Sequence, residues 1–192
     1  MTPRADRSTA LRADAARNRA RVLRIAREQI AAGDESLQLN AIARLAGLGI
    51  GTVYRHFPNR HALVEALSAE RFRELVGEAQ TAAVEEDALA GLHRLLRFAL
   101  ERALDDPGFA AVLESSTDAA EQTSEMKSEL DGAVEELLGR ARHAGVIRSD
   151  VEADDVRRLL CGIQHAVRSG DGGAGRAEVY LDILLQGLRP PR

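Results

Sequence analysis

Tryptophan is absent from this chain of 192 residues, cysteine occurs once, and aromatic residues amount to 3%. The lone Cys161 excludes an internal disulfide and a cysteine-built metal cage. So few rings argue against a large aromatic cage for planar, drug-like molecules. No window holds enough apolar residues to cross a bilayer, and the opening stretch MTPRADRSTALRADAARNRAR carries no signal-peptide core. A soluble, cytoplasmic protein without membrane contact is therefore expected. Proline is missing between Pro107 and Pro190, so nothing sterically forbids long helices there. Strand-like alternation of β-branched and aromatic residues is lacking too.

What is present is an uneven distribution of charge. The formal net charge is −4, yet residues 1–61 sum to +6 and residues 62–192 to −10. A basic N-terminal third on an acidic remainder indicates a small anion-seeking module joined to a larger body with another task. Apolar residues recur at helical spacing throughout. Val22, Ile25, Ala26 and Ile30 line a first helix ended by Gly33, and Ile42, Leu45 and Ala46 face inward from a second over 40–46. A third spans 52–57, stopped by Pro58, and Asn59 caps a fourth that starts at 60 or 61 and reaches 78 or beyond. Further helices are predicted over 87–104, 109–114, 121–144, about 156–167 and 177–188. The fold class is all-α, with about nine helices.

The stretch AGLGIGTVYRHFPNR, residues 46–60, raises the question of function. Gly47, Gly49 and Gly51 suggest a phosphate-cradling loop, but such a loop needs a strand before it and a helix after it. Here a helical pattern precedes the glycines, and the lysine of a nucleotide loop is missing. No nucleotide cofactor is expected, and none of another kind. Two short helices around a glycine turn instead make a helix-turn-helix, whose second helix enters the major groove of DNA. Gly47 reads as a left-handed helix stop with Leu48 packing back, Gly49 as a weak cap, and Gly51 as clearance for a close approach. Thr52, Tyr54 and His56 offer donors to phosphate, and Arg60 sits in a first helical turn where its charge and the helix terminus both favour an anion. Asn40 and Arg44 lie near the flanking backbone.

From Asn40 to Arg60 the sequence NAIARLAGLGIGTVYRHFPNR resembles the DNA-binding signature of the TetR (tetracycline-repressor-like) family of bacterial regulators. The resemblance spans about residues 15–68. It implies that Tyr54, His56 and Arg60 contact phosphates while Ile50, Gly51 and Arg55 approach bases. Three positions depart from the family pattern: Gly49 replaces a Ser or Thr cap, Ile50 a polar residue, and Leu39 a capping Thr. Readout of bases then leans on Arg55, with Ile50 suited to a thymine methyl. The domain plan is a disordered basic arm over 1–14, a helix-turn-helix domain over 15–62, and a helical effector-binding and dimerisation domain over 63–192.

For the body, pocket candidates are residues that interrupt apolar helix faces: His93, Phe98, Phe109, Glu114, Met126, Cys161, Gln164 and His165. Cys161 and His165 share a face, but no third ligand is near, so no metal site is assigned. The segment EVYLDILLQGL is apolar on more than one face. Tyr180, Ile183, Leu184 and Leu188, with Val156, Leu159 and Ile163, form the expected homodimer interface. The reading is a ligand-responsive homodimeric repressor whose partners are a double-stranded, palindromic DNA operator and an unidentified small-molecule effector. An all-helical enzyme and a protein-binding adaptor are the alternatives. Against the first stands the lack of any nucleophile–base pair or Gly-x-Ser-x-Gly elbow, and against the second the basic N-terminal third.

Overall fold

The computed structural model describes residues 4–170 and 173–190, with side chains over 9–170 and 175–190. The described residues form nine helices and no strand: α1 (Arg4–Ala31), α2 (Leu39–Ala46), α3 (Ile50–His56), α4 (Arg60–Ala83), α5 (Ala88–Asp105), α6 (Pro107–Glu114), α7 (Glu121–His143), α8 (Ala153–Ser169) and α9 (Gly173–Gly187). They divide into two compact units, Met1–Leu67 and Ser68–Arg192. The division therefore falls inside α4 rather than at its start. The arm expected to be irregular over 1–14 is helical from Arg4 onward, and residues 1–3 lie outside the described part. The correction has a simple cause. Ala, Arg and Leu are strong helix formers, and no Gly or Pro interrupts the chain between Arg4 and Gly33. Leu11 is 68% exposed, so this end of α1 stands on local propensity rather than packing.

In the first unit α1 packs on α2 and α3. Its buried stripe Val22, Leu23, Ile25 and Ala26 meets a core that includes Ile42, Ala46, Val53 and Phe57. The Arg19 guanidinium lies 5.4 Å over the Phe57 ring, a cation–π contact that covers the core's edge. Gly33 ends α1 at φ 86°, with the Asp34 N–H reaching back to the Gln29 carbonyl at 2.9 Å.

In the second unit α5 is central and packs on α6, α7, α8 and α9. Asp87 opens it by accepting hydrogen bonds from the N–H groups of Leu89 and Ala90. Asp106 caps α6 with Pro107 in its first turn, which starts that helix two positions before the sequence reading. Phe109 is fully buried and packs on Phe72 with ring centroids 5.4 Å apart. At the end of α4, Arg140 donates to the carbonyls of Ala83 and Glu85, satisfying oxygens that the helix leaves unpaired.

Close approach at α5 requires Gly91: a Cβ there would lie 2.9 Å from the Ala82 carbonyl oxygen. Gly91→Ala should therefore lower the urea midpoint, at a cost of about 1–3 kcal/mol, although Ala is the better helix former. Gly132→Ala in α7, where a Cβ would meet nothing within 4 Å, should instead stabilise by up to about 1 kcal/mol.

Candidate functional site

The turn between α2 and α3 is built from three residues. Gly47 adopts φ 61° and ψ 36°, the left-handed conformation, and its N–H bonds to the Arg44 carbonyl at 3.1 Å. The Leu48 N–H reaches the Ala43 carbonyl at 3.0 Å, closing the α2 terminus. Gly49 then caps α3 with extended backbone and no side-chain hydrogen bond, as a residue without a hydroxyl must. The helix begins at Ile50, two positions before the sequence reading, because a backbone cap suffices to start it.

This geometry turns one face of α3 inward through Val53 and the other outward. Ile50 is 51% and Tyr54 44% exposed, with Gly51 and Arg55 exposed beside them, while Thr52 and His56 are half-buried. Tyr54 Oη donates to Asn40 Oδ1 at 3.4 Å, joining the outer faces of α3 and α2, and Arg44 is exposed on α2 as well. Arg55 Nε folds back on the Gly51 carbonyl at 3.0 Å, leaving its two terminal nitrogens pointing onward. Leu45, expected to face inward, is 55% exposed and adds to this outer surface. The eight-residue α2 has only one narrow inner stripe, filled by Leu39, Ile42, Ala43 and Ala46. Gly51 has no steric reason to be glycine, since a Cβ there would meet nothing within 4 Å.

Arg60 has a different position from the one its sequence context suggests. Its Nε donates to the Ser36 carbonyl at 3.0 Å and its Nη2 to the Glu35 carbonyl at 2.9 Å. The next residue, Leu37, is the only non-glycine described with positive φ, at 48°, and is 4% exposed. A leucine in the left-handed region carries strain that its surroundings must hold. Arg60 fixes the carbonyls beside it, and the Asp34 carboxylate accepts from the Ser36 N–H at 3.0 Å. Hydrogen bonds from Ser36 hold the Asp34 carboxyl below its ordinary pKa. The sequence gave no sign of this clamp, because nothing local links residues 35–37 to residue 60.

The second unit contains an apolar cavity with about 490 Å³ of empty space, its open mouth included. Leu92, Leu95, Leu96, Leu130, Val134 and Leu160 are among its walls, with Asp131 and Arg157 as its charged members. None of the eight pocket residues read from the sequence lines it. Phe109 is core, Met126 is buried at 7% exposure, and Glu114 and His165 are exposed. Phe98 lies half-buried under the Arg102 guanidinium, and Cys161 and Gln164 are half-buried on α8. Burial raises the Cys161 thiol above its ordinary pKa. His93 lines a separate polar hollow with Asp182, Gln186 and Arg189. Interruptions in an apolar face thus marked surface, whereas the cavity is walled by the aliphatic stripe itself. One signal did exist: Asp131 stands three residues before Val134, on the stripe that α7 turns inward.

The interface residues also separate. Val156, Leu184 and Leu188 are buried inside the protomer, and Val156 lines the cavity. Leu159 and Ile183 remain 47% and 62% exposed, beside half-buried Ile163 and Tyr180. Among the described residues no group of His, Cys, Asp and Glu is arranged for a metal, and no helix is long and apolar enough to cross a membrane.

Residues 22–67 match the family described as bacterial regulatory proteins of the tetR family. Residues 86–190 match the C-terminal domain of SbtR-like transcriptional regulators. The chain belongs to the TetR family. A TetR regulatory protein from Mycobacterium vanbaalenii is 34% identical over 94% of this chain and 99% of that one, with a TM-score of 0.51. A TetR transcriptional regulator from Streptomyces coelicolor is 31% identical over 91% and 99%, with a TM-score of 0.56. A TetR-family regulator from Pectobacterium atrosepticum, at 22% identity over 94% and 99%, shares the fold with a TM-score of 0.65. No match was found among curated proteins. As a TetR-family protein the chain is a DNA-binding transcription regulator, and its helix-turn-helix is α2 and α3.

The clamp on the α1–α2 loop leads to a measurable expectation. Arg60→Ala should lower the unfolding free energy by about 1–2 kcal/mol, the worth of two hydrogen bonds from a charged donor in partly exposed surroundings. Arg60→Lys, which keeps the charge but cannot hold both carbonyls, should recover less than half of it in denaturant titration.

Proposed function

We propose that this TetR-family protein is a homodimeric repressor that binds a near-palindromic operator and releases it when a small molecule enters the second unit. The observation that carries the reading is the outer face of α3, where Ile50, Gly51, Tyr54 and Arg55 are all exposed. Tyr54, Thr52 and His56 contact phosphates, and Asn40 and Arg44 bind the backbone at the flank. Arg55 and Ile50 meet base edges, Ile50 against a thymine methyl. Arg60 supports this surface by holding the loop before α2, and its remaining nitrogen, Nη1, is its contribution to a phosphate. The glycines at 49 and 51 let the start of α3 approach the duplex, since neither presents a side chain there.

Leu159, Ile163, Tyr180 and Ile183 form the outward row of α8 and α9 through which two copies pair. A two-fold dimer presents two α3 helices about 34–36 Å apart, one turn of DNA. An effector acts by favouring one of two spacings of the reading heads over the other.

Gly51 supplies the sharpest test. Gly51→Ala should leave the fold as stable as before or stabilise it by up to about 1 kcal/mol, because the new methyl meets nothing inside the protein. It should nevertheless weaken binding to the gene's own upstream region in a gel shift by about tenfold or more. Tyr54→Ala should weaken it by a similar factor, with little change on its behaviour toward random DNA. If wild type and both variants retard upstream and random fragments alike, the protein reads no operator through α3.

A further inference from the structure

The α5–α7–α8 cavity has one feature that its walls do not explain. Asp131 lines it, yet makes no hydrogen bond or ion pair among the described residues. The other charged member, Arg157, is already committed: its Nη2 pairs with Asp154 and its Nη1 faces the Leu113 carbonyl at 3.4 Å. Asp131 and Ala153 also line a polar hollow whose carboxylates outnumber its one guanidinium, Arg142, which is itself paired with Glu135. The apolar cavity thus adjoins an acidic hollow along a wall that bears one uncommitted carboxylate.

We propose that this cavity takes a cationic amphiphile, an alkylammonium type of molecule with its aliphatic tail among the leucines and its charged head at Asp131. The inference rests on the regulatory reading only in supposing that the cavity is the effector site. Three physical points support it. The walls named above are aliphatic, so the tail they suit is a hydrocarbon chain and not an aromatic system. The space is narrow, with room of only about 40 Å³ for the centre of a water-sized molecule, which favours a slender chain over fused rings. An anionic head would have to displace Asp154 from Arg157 and would face the acidic hollow, whereas a cation meets a free acceptor and a favourable field. Crowding by the apolar walls, moreover, raises the Asp131 carboxyl above its ordinary pKa, with Arg157 opposing. Its charge is therefore a cost to the fold that a bound cation offsets.

Isothermal titration calorimetry on the full chain, with octylammonium, octanoate and octanol as probes below their aggregation limits, tests this. Wild type should bind octylammonium about tenfold or more tighter than either of the others. Asp131→Asn should lose that preference, keep its octanol binding and unfold at an unchanged or higher temperature. Val134→Phe, which fills the cavity without touching the carboxylate, should weaken all three. A preference for octanoate that disappears in Arg157→Gln overturns the proposal, as do equal affinities unaffected by Asp131→Asn, or no binding by any probe. The readout uses no DNA, so the two readings fail separately. Upstream DNA bound normally with no amine binding removes this inference alone. Amine binding that leaves operator affinity unchanged supports the site and removes its role in regulation.

Discussion

The left-handed turn at Gly47 is the constraint on which the first unit depends. Helices of eight and seven residues, such as α2 and α3, are too short to persist by themselves in water. They exist because the turn closes α2 at the Arg44 and Ala43 carbonyls and aims α3 so that Val53 and Phe57 reach the core made by α1 and α2. Only glycine adopts that conformation without the penalty of a side chain. Once the inner residues are fixed, the outer ones have no freedom left: Ile50, Gly51, Tyr54 and Arg55 must face away. The binding surface follows from the burial of its opposite side.

A second constraint sits behind the first. The loop before α2 passes through Leu37 in a strained conformation, held by burial of its side chain and by Arg60 across 24 residues of sequence. Arg60 lies in a signature whose resemblance implies a phosphate contact, and the structure gives two of its donors to carbonyl groups. Both can serve one purpose. A residue that organises the start of α2 also sets where Asn40 and Arg44 stand, and those are exposed toward the same side as Tyr54, to which Asn40 is bonded.

Most of the helical plan was legible in the sequence because the signals were local: Gly33 and Gly47 as stops, Pro58 as a break, Asn59 and Asp87 as caps. Asn59 indeed receives the Ala62 N–H at 2.8 Å. The outer face of α3 was legible for the same reason, since a period of 3.6 residues fixes which positions oppose Val53. What escaped was non-local. The Arg60 clamp joins segments distant in sequence. The cavity depends on how α5, α7 and α8 meet, and no helix states that alone. Looking for it among histidines, phenylalanines and Cys161 selected residues that had found places at the surface or in the core, whereas leucine stripes and a single aspartate make the walls. Val156 shows the same ambiguity. An apolar helix position is equally suited to a partner subunit, a core or a cavity, and only packing decides between them.

The account stands on the claim that the basic first unit binds duplex DNA through its phosphates. Fluorescence anisotropy of a labelled upstream-region duplex, titrated with the full-length protein across a range of salt concentrations, measures this most directly. Each phosphate neutralised contributes about −0.9 to the slope of log affinity against log salt. A steep negative slope of several such increments is the result expected from Thr52, Tyr54, His56, Arg44 and Arg55 on two protomers. A flat slope, with affinity indifferent to salt, would contradict it and leave α3 a face for some other partner.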